Sequence, residues 1–146
     1  MDSIETLAER LMTALNSTSR KIQHEFAQKN TLPLTTPQLF LLHLLSKKER
    51  WMVTELAEKM TVNGRAITAM IDRLEQNNYA ERQRDEKDRR VVFIRISKEG
   101  RKVLKQAGEK RKEILIHYLQ QLEEDEITAL IAINEKLAHI ISKTDQ

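Results

Sequence analysis

The chain has 146 residues, room for one ordinary domain, and its 40% hydrophobic and 32% charged residues are the balance of a well-solvated, helix-rich globular protein. Three Gly and two Pro argue against turn-dense β architectures, and the absence of Cys excludes thiolate metal sites, thiol nucleophiles and thiol redox sensing. The net charge of +3 is unevenly placed: Asn63 to Arg101 holds ten Lys/Arg against seven Asp/Glu, while the rest of the chain holds fifteen of each. Such a local excess is the electrostatic footprint expected of a protein that binds a polyanion.

In chain order, Ile4, Leu7, Leu11, Leu15, Thr18, Ile22 and Phe26 recur at three- and four-residue steps, predicting one long amphipathic helix that ends before Asn30. Thr35-Thr36-Pro37-Gln38 reads as a helix start, with Gln three residues after Thr and Pro in the first turn. The helix that follows, through Leu45, is apolar nearly all round (Leu39, Phe40, Leu41, Leu42, Leu44, Leu45), which places it centrally. A short Trp51-Met52-Val53 segment leads to Thr54 as an N-cap and a brief helix, Glu55–Met60. After a tight turn, Asn63 caps a second helix from Gly64 to Gln76, with Ile67, Met70, Ile71 and Leu74 on its apolar face. Asn77-Asn78 can supply the left-handed residue that stops it.

The period then changes. Tyr79–Arg84 and Val91–Ser97 read as two short strands, with the wholly charged run Asp85–Arg90 between them. Ser97 opens a long helix from Lys98 to about Leu122, carrying Leu104, Ala107, Arg111, Leu115, Tyr118 and Leu122 on one side. The acidic run 123–126 suits a helix N-terminus, and the last helix carries Ile127, Leu130, Ile131, Leu137, Ile140 and Ile141. No stretch approaches the roughly 18 apolar residues of a membrane span. The opening residues are not a signal peptide, so a cytoplasmic protein without membrane contact is expected.

Two short helices joined by a tight turn and followed by a two-stranded ribbon form a winged helix-turn-helix. A helix fits the major groove, and residues near its N-terminus can reach base edges. Here these are Asn63, Gly64, Arg65, Ala66, Thr68 and Ala69, opposite the apolar face. Arg65 can donate two hydrogen bonds to guanine, and Thr68 and the Ala methyls can touch thymine methyls. Arg73, two turns later, suits a phosphate. At the hairpin tip Arg84, Lys87, Arg89 and Arg90 suit the concentrated negative potential of a minor groove. Asp88 among them is explained if it pairs with Arg90 and holds that guanidinium in one rotamer.

The stretch from Asp72 to Gly100 resembles the signature of the MarR family of bacterial transcription regulators, at Arg73-Leu74-Glu75, Arg82, Asp88-Arg89-Arg90, Ile96-Ser97 and Gly100. The order of helices agrees along essentially the whole chain. Asn78 stands where the family usually has Gly, and Ser97 where it usually has Thr. The resemblance implies a mainly α fold with a small β-wing: one MarR-type domain over 1–146, its winged helix-turn-helix at 35–100, and dimerisation helices at 1–30 and 101–146. It also implies that Asp88 and Arg90 are the family's wing pair, the Arg entering the minor groove.

The long, stripe-faced first and last helices suit interleaving with a second copy, and the resemblance implies the same intertwined homodimer. Two copies read a pseudo-palindromic double-stranded DNA operator with half-sites about one helical turn apart. In the family a small aromatic or phenolic effector lowers DNA affinity; Phe26, Phe40, His43 and Trp51 are the candidates to contact it. His24, His43, His117 and His139 are scattered over four helices, so no metal site is expected, and neither a cofactor nor an enzymatic motif is present. The leading expectation is a ligand-responsive repressor. The alternatives are a DNA-binding activator or architectural protein without a ligand, and a helical protein-interaction module.

Overall fold

Thr35 and Gln38 start the second helix by a reciprocal exchange: the Gln38 N–H donates to the Thr35 hydroxyl at 3.3 Å, and the Thr35 N–H donates to Gln38 Oε1 at 3.0 Å. That capping box, worth on the order of 1 kcal/mol, sets the register of the most buried helix in the chain. A computed structural model describes residues 1–144. It consists of α1 (Ile4–Lys29), α2 (Thr36–Leu45), β1 (Trp51–Met52), α3 (Val53–Met60), α4 (Gly64–Gln76), β2 (Ala80–Arg84), β3 (Val92–Ile96), α5 (Lys98–Leu119) and α6 (Glu124–Thr144). No helix among the described residues is long and apolar enough to cross a membrane.

The chain divides into two compact units, one of Met1–Gln23 with the residues from Arg111 onward, the other of His24–Lys110. The core of the second unit is assembled from Leu39, Leu41, Leu42 and Leu45 of α2, Leu56 of α3, Ile67, Ile71 and Leu74 of α4, and Ile94 and Ile96 of β3, all buried. Phe26, Val103 and Ala107 are buried in the same unit, and the Lys110 ammonium donates to the Lys29 carbonyl at 3.3 Å. The apolar faces of α2 and α4 thus do what their spacing predicts, except that Phe40 stays 56% exposed.

Several elements differ from the sequence reading. The ribbon is a three-stranded antiparallel sheet in the order β1-β3-β2, because Trp51 and Met52 pair with Ile94 and Phe93. Two residues are too few to show a period, so only the partner strand reveals them. Helix α3 begins at Val53, ahead of the predicted Thr54 cap: the Glu55 carboxylate accepts the Met52 N–H at 2.9 Å and satisfies the end of the helix without Thr54. Helix α5 ends at Leu119 rather than near Leu122, and its buried apolar side chains are Val103, Ala107 and Ile114. Of the predicted stripe, Leu115, Tyr118 and Leu122 are exposed.

Two left-handed residues shape the turns. Asn78 (φ 63°) follows α4, as expected of an Asn standing in for Gly, and lets the Tyr79 N–H return to the Leu74 carbonyl at 2.8 Å. Thr61 (φ 50°) closes α3 and is the less expected of the two, since a β-branched side chain there is strained. The helix-turn-helix needs that bend and has no Gly to make it.

Candidate nucleic-acid interface

All twelve residues assigned to DNA by the sequence lie in the His24–Lys110 unit, on α4 or on the β2–β3 hairpin. Asn63 adopts extended backbone and its Oδ1 accepts the Ala66 N–H at 2.8 Å, so the start of α4 is pinned and the Asn63 amide group remains free to donate. Gly64, Arg65, Thr68 and Ala69 are exposed, and Ala66 is half-buried. A methyl group built on Gly64 meets nothing within 4 Å, so the fold does not require glycine there. Arg73 is exposed further along the same helix.

The hairpin is closed by register pairs from Ala80↔Ile96 to Arg84↔Val92, and its tip by the Asp85 N–H on the Val91 carbonyl at 2.9 Å and the Val91 N–H on the Asp88 carbonyl at 3.0 Å. Inside that tip the Asp88 carboxylate takes a two-armed grip of Arg90: Nε to Oδ1 at 3.1 Å and an Nη to Oδ2 at 3.2 Å, with the Arg90 N–H also on Oδ1 at 3.1 Å. The Arg90 side chain is nevertheless 91% exposed. A fork-on-fork pair fixes the direction of a guanidinium that would otherwise sample many rotamers, and it does so in full view of solvent. Arg84 is less free than the sequence suggests, because its guanidinium donates across the hairpin to the Arg89 carbonyl at 2.9 Å. It braces the tip, while Lys87 and Arg89 stay exposed.

The hydrogen bond from the Arg90 side chain, followed by that from its backbone, lowers the Asp88 pKa below the ordinary carboxylate value. A depressed value means the charged pair holds above the ordinary pKa and is lost only as pH falls through the lowered one. DNA affinity is therefore expected to show no step from Asp88 titration between about pH 5 and 8, whereas Asp88→Asn at neutral pH should weaken binding. Anisotropy titrations across pH on both proteins check this.

Arg82 has a role that its spacing did not disclose. From β2 its guanidinium reaches two carboxylates of α4, Asp72 and, at 3.0 Å, Glu75. Two acidic residues of α4 thus pair with the wing strand, and the wing is tied to that helix. Glu81 and Arg95, opposite each other in the sheet, add a cross-strand pair at 3.1 Å. Because the Arg82 pairs are half-exposed, Arg82→Met is expected to cost less than ~1 kcal/mol of stability. It should still weaken DNA binding by loosening the wing against α4. Chemical denaturation and anisotropy on one preparation separate the two effects.

The four effector candidates are not brought together by either of two surface crevices in this unit. Trp51 lines one of about 460 Å³ with Lys48, Glu55, Glu58 and Lys59. Phe26 is buried, while Phe40 and His43 are exposed on α2. Among the described residues the buried Trp51 indole N–H makes no hydrogen bond.

A capped helix presenting small and basic residues, followed by a wing with one rigidly aimed arginine, defines a winged helix-turn-helix DNA-binding protein. The MarR family model matches residues 34–92. The HTH-type transcriptional repressor MdtR of Bacillus subtilis (strain 168) is 36% identical over 147 residues, spanning 100% of this chain and 94% of that protein. The X-ray structure of the YusO protein from Bacillus subtilis superposes with a TM-score of 0.74 at 35% identity, over 94% of this chain and 99% of the other. That of a MarR family protein from Bacillus stearothermophilus gives 0.80 at 27% identity, over 97% and 99%. The chain belongs to the MarR family; it is a DNA-binding transcriptional regulator and not an enzyme.

Proposed function

We propose that the protein is a homodimeric, cytoplasmic repressor that reads a pseudo-palindromic operator and is released by a small aromatic or phenolic effector. The observation that carries the DNA part is the Asp88–Arg90 fork at an exposed wing tip, in one unit with the Asn63-capped helix. In this reading Asn63 to Ala69 contact bases, Arg73 and Lys87 contact phosphates, and Arg90 enters the minor groove with Arg89 beside it. Residues 35–100 form the DNA-binding part, and 1–30 with 101–146 form the dimerisation helices.

Dimerisation is supported by α6, twenty-one residues long without a buried side chain, on which Leu130, Ile131, Leu137, Ile140 and Ile141 are all more than two-fifths exposed. Leu7, Leu11 and Leu15 of α1 are similarly bare. Stripes of that extent mark a protein interface. Deleting residues 127–146 is expected to convert the dimer to monomer in sedimentation while helicity falls only in proportion to the helix removed. Repression is supported by the name of MdtR. An effector site is supported by the crevice of about 460 Å³ that Trp51 lines.

The test is selection of genomic fragments by the purified protein, followed by anisotropy on the selected site at several salt concentrations. Affinity should fall by orders of magnitude between low and moderate salt. Failure to retain any fragment in low salt would overturn the DNA reading. Phenolic acids that leave the complex intact at millimolar concentration would overturn the effector.

A further inference from the structure

We propose that a basic crevice at the foot of the wing binds a compact phosphate dianion, free or as a small organic monoester. The crevice measures about 560 Å³ and is lined by four cations, Lys48, Arg95, Lys98 and Arg101, with Ser46 and a single carboxylate, Glu49. It is an open surface crevice rather than an enclosed cavity, wide enough for a small anion.

Two of the cations already have partners: Lys48 holds Glu55 at 2.7 Å and Arg95 holds Glu81 at 3.1 Å. Among the described residues no carboxylate forms an ion pair with Lys98 or Arg101. These two stand three residues apart in the first turn of α5, hence on one face of the helix. The Ser97 hydroxyl satisfies only the Gly100 N–H, at 2.9 Å, and the N-terminal end of a 22-residue helix adds its own positive potential. Unpaired cations, a concave surface and a helix N-terminus converge on the same place.

The crevice stands apart from the tip of the wing. Arg95 and Ile96 pair with Glu81 and Ala80, at the end of the hairpin remote from its tip. Ile96 lies four residue steps from Val92, about 13 Å of strand before the tip loop begins. Arg95 and Ile96 of the crevice thus lie at the opposite end of the hairpin from Arg90.

Calorimetric titration of the full chain with inorganic phosphate and, separately, with glycerol phosphate, at constant ionic strength, tests the site. Saturable binding is expected, weakened more than tenfold by the Lys98→Gln/Arg101→Gln double substitution and unchanged by Arg90→Ala with Arg73→Ala. Tighter binding of the ester identifies an organic monophosphate as the ligand, and equal binding identifies phosphate itself. The double variant should still bind operator DNA, which distinguishes loss of this site from loss of the DNA surface. Linear, unsaturable heats would overturn the proposal, as would binding that disappears with Arg90 and Arg73. Should the double variant fail to fold, amide shifts of Lys98 to Arg101 in the unaltered protein decide: saturable movement on adding phosphate supports the site, and none overturns it.

Discussion

Arg90→Ala is expected to weaken operator binding by ~1–3 kcal/mol, roughly five- to 150-fold, with most of the loss at one minor-groove position. The size follows from preorganisation. Asp88 holds the guanidinium by two side-chain arms while leaving it 91% exposed, so little rotamer entropy remains to be lost on binding. The free cost of aiming the arginine has been met by the fold. Alanine removes both the charge and its direction, and it leaves Asp88 uncompensated beside the phosphates. Arg73→Ala makes the contrast. Its side chain is exposed on α4 without such a brace, so all sequences should weaken alike and the salt dependence should lose about one unit of slope. Binding to a panel of single-base operator variants at two salt concentrations measures both. Equal effects of the two substitutions on every sequence would show that the roles are wrongly assigned.

Gly100→Ala is expected to destabilise the fold by about 1–3 kcal/mol, the usual cost of forcing an extra carbon into a packed site. A Cβ at Gly100 would overlap the Tyr79 carbonyl oxygen and come within 2.8 Å of Ile96 Cγ1. The carbonyl cannot simply swing away, because it accepts the Ser97 N–H at 3.0 Å where β3 passes into α5. Alanine's better helix propensity returns only up to ~1 kcal/mol, so the clash decides the sign. For a chain of this length the melting temperature should drop by roughly 2–4 °C for each kcal/mol lost. Gly64→Ala is the control: its Cβ meets open space, so stability should hold or rise slightly while DNA affinity falls. A stable Gly100→Ala protein would mean that the Tyr79–Ser97 junction yields more easily than its packing indicates.

Both glycines look alike in the sequence, each at the beginning of a helix. Only the neighbours across the fold separate Gly100, where packing excludes a Cβ, from Gly64, where it does not. The same division runs through the molecule. Most signals that depend on residues a few positions apart were determined by the sequence itself, the start of α3 and the left-handed Thr61 being the exceptions. The Thr35–Gln38 box, the Asn63 cap, the apolar face of α4, the left-handed Asn78 and the Asp88–Arg90 grip are all of this kind, since each spans at most a turn or two of backbone. These short-range features were enough to read a winged helix-turn-helix and to propose the residues that face DNA.

What the tertiary structure alone decided are the pairings between segments remote in the chain. Trp51 and Met52 become a strand only because Ile94 and Phe93 offer their backbone groups. Arg82 becomes a tie between wing and recognition helix only because the turn at Asn78 returns β2 alongside Asp72 and Glu75. Helix α5 buries Val103, Ala107 and Ile114 while Leu115 and Tyr118 stay exposed, although the sequence sets Ala107 in one stripe with those two: which members of an apolar stripe are covered depends on the surface each stretch of the helix meets. Hydrophobic periodicity states which residues can be buried. The free energy of burial is realised only against a partner, and that partner is fixed by the fold as a whole.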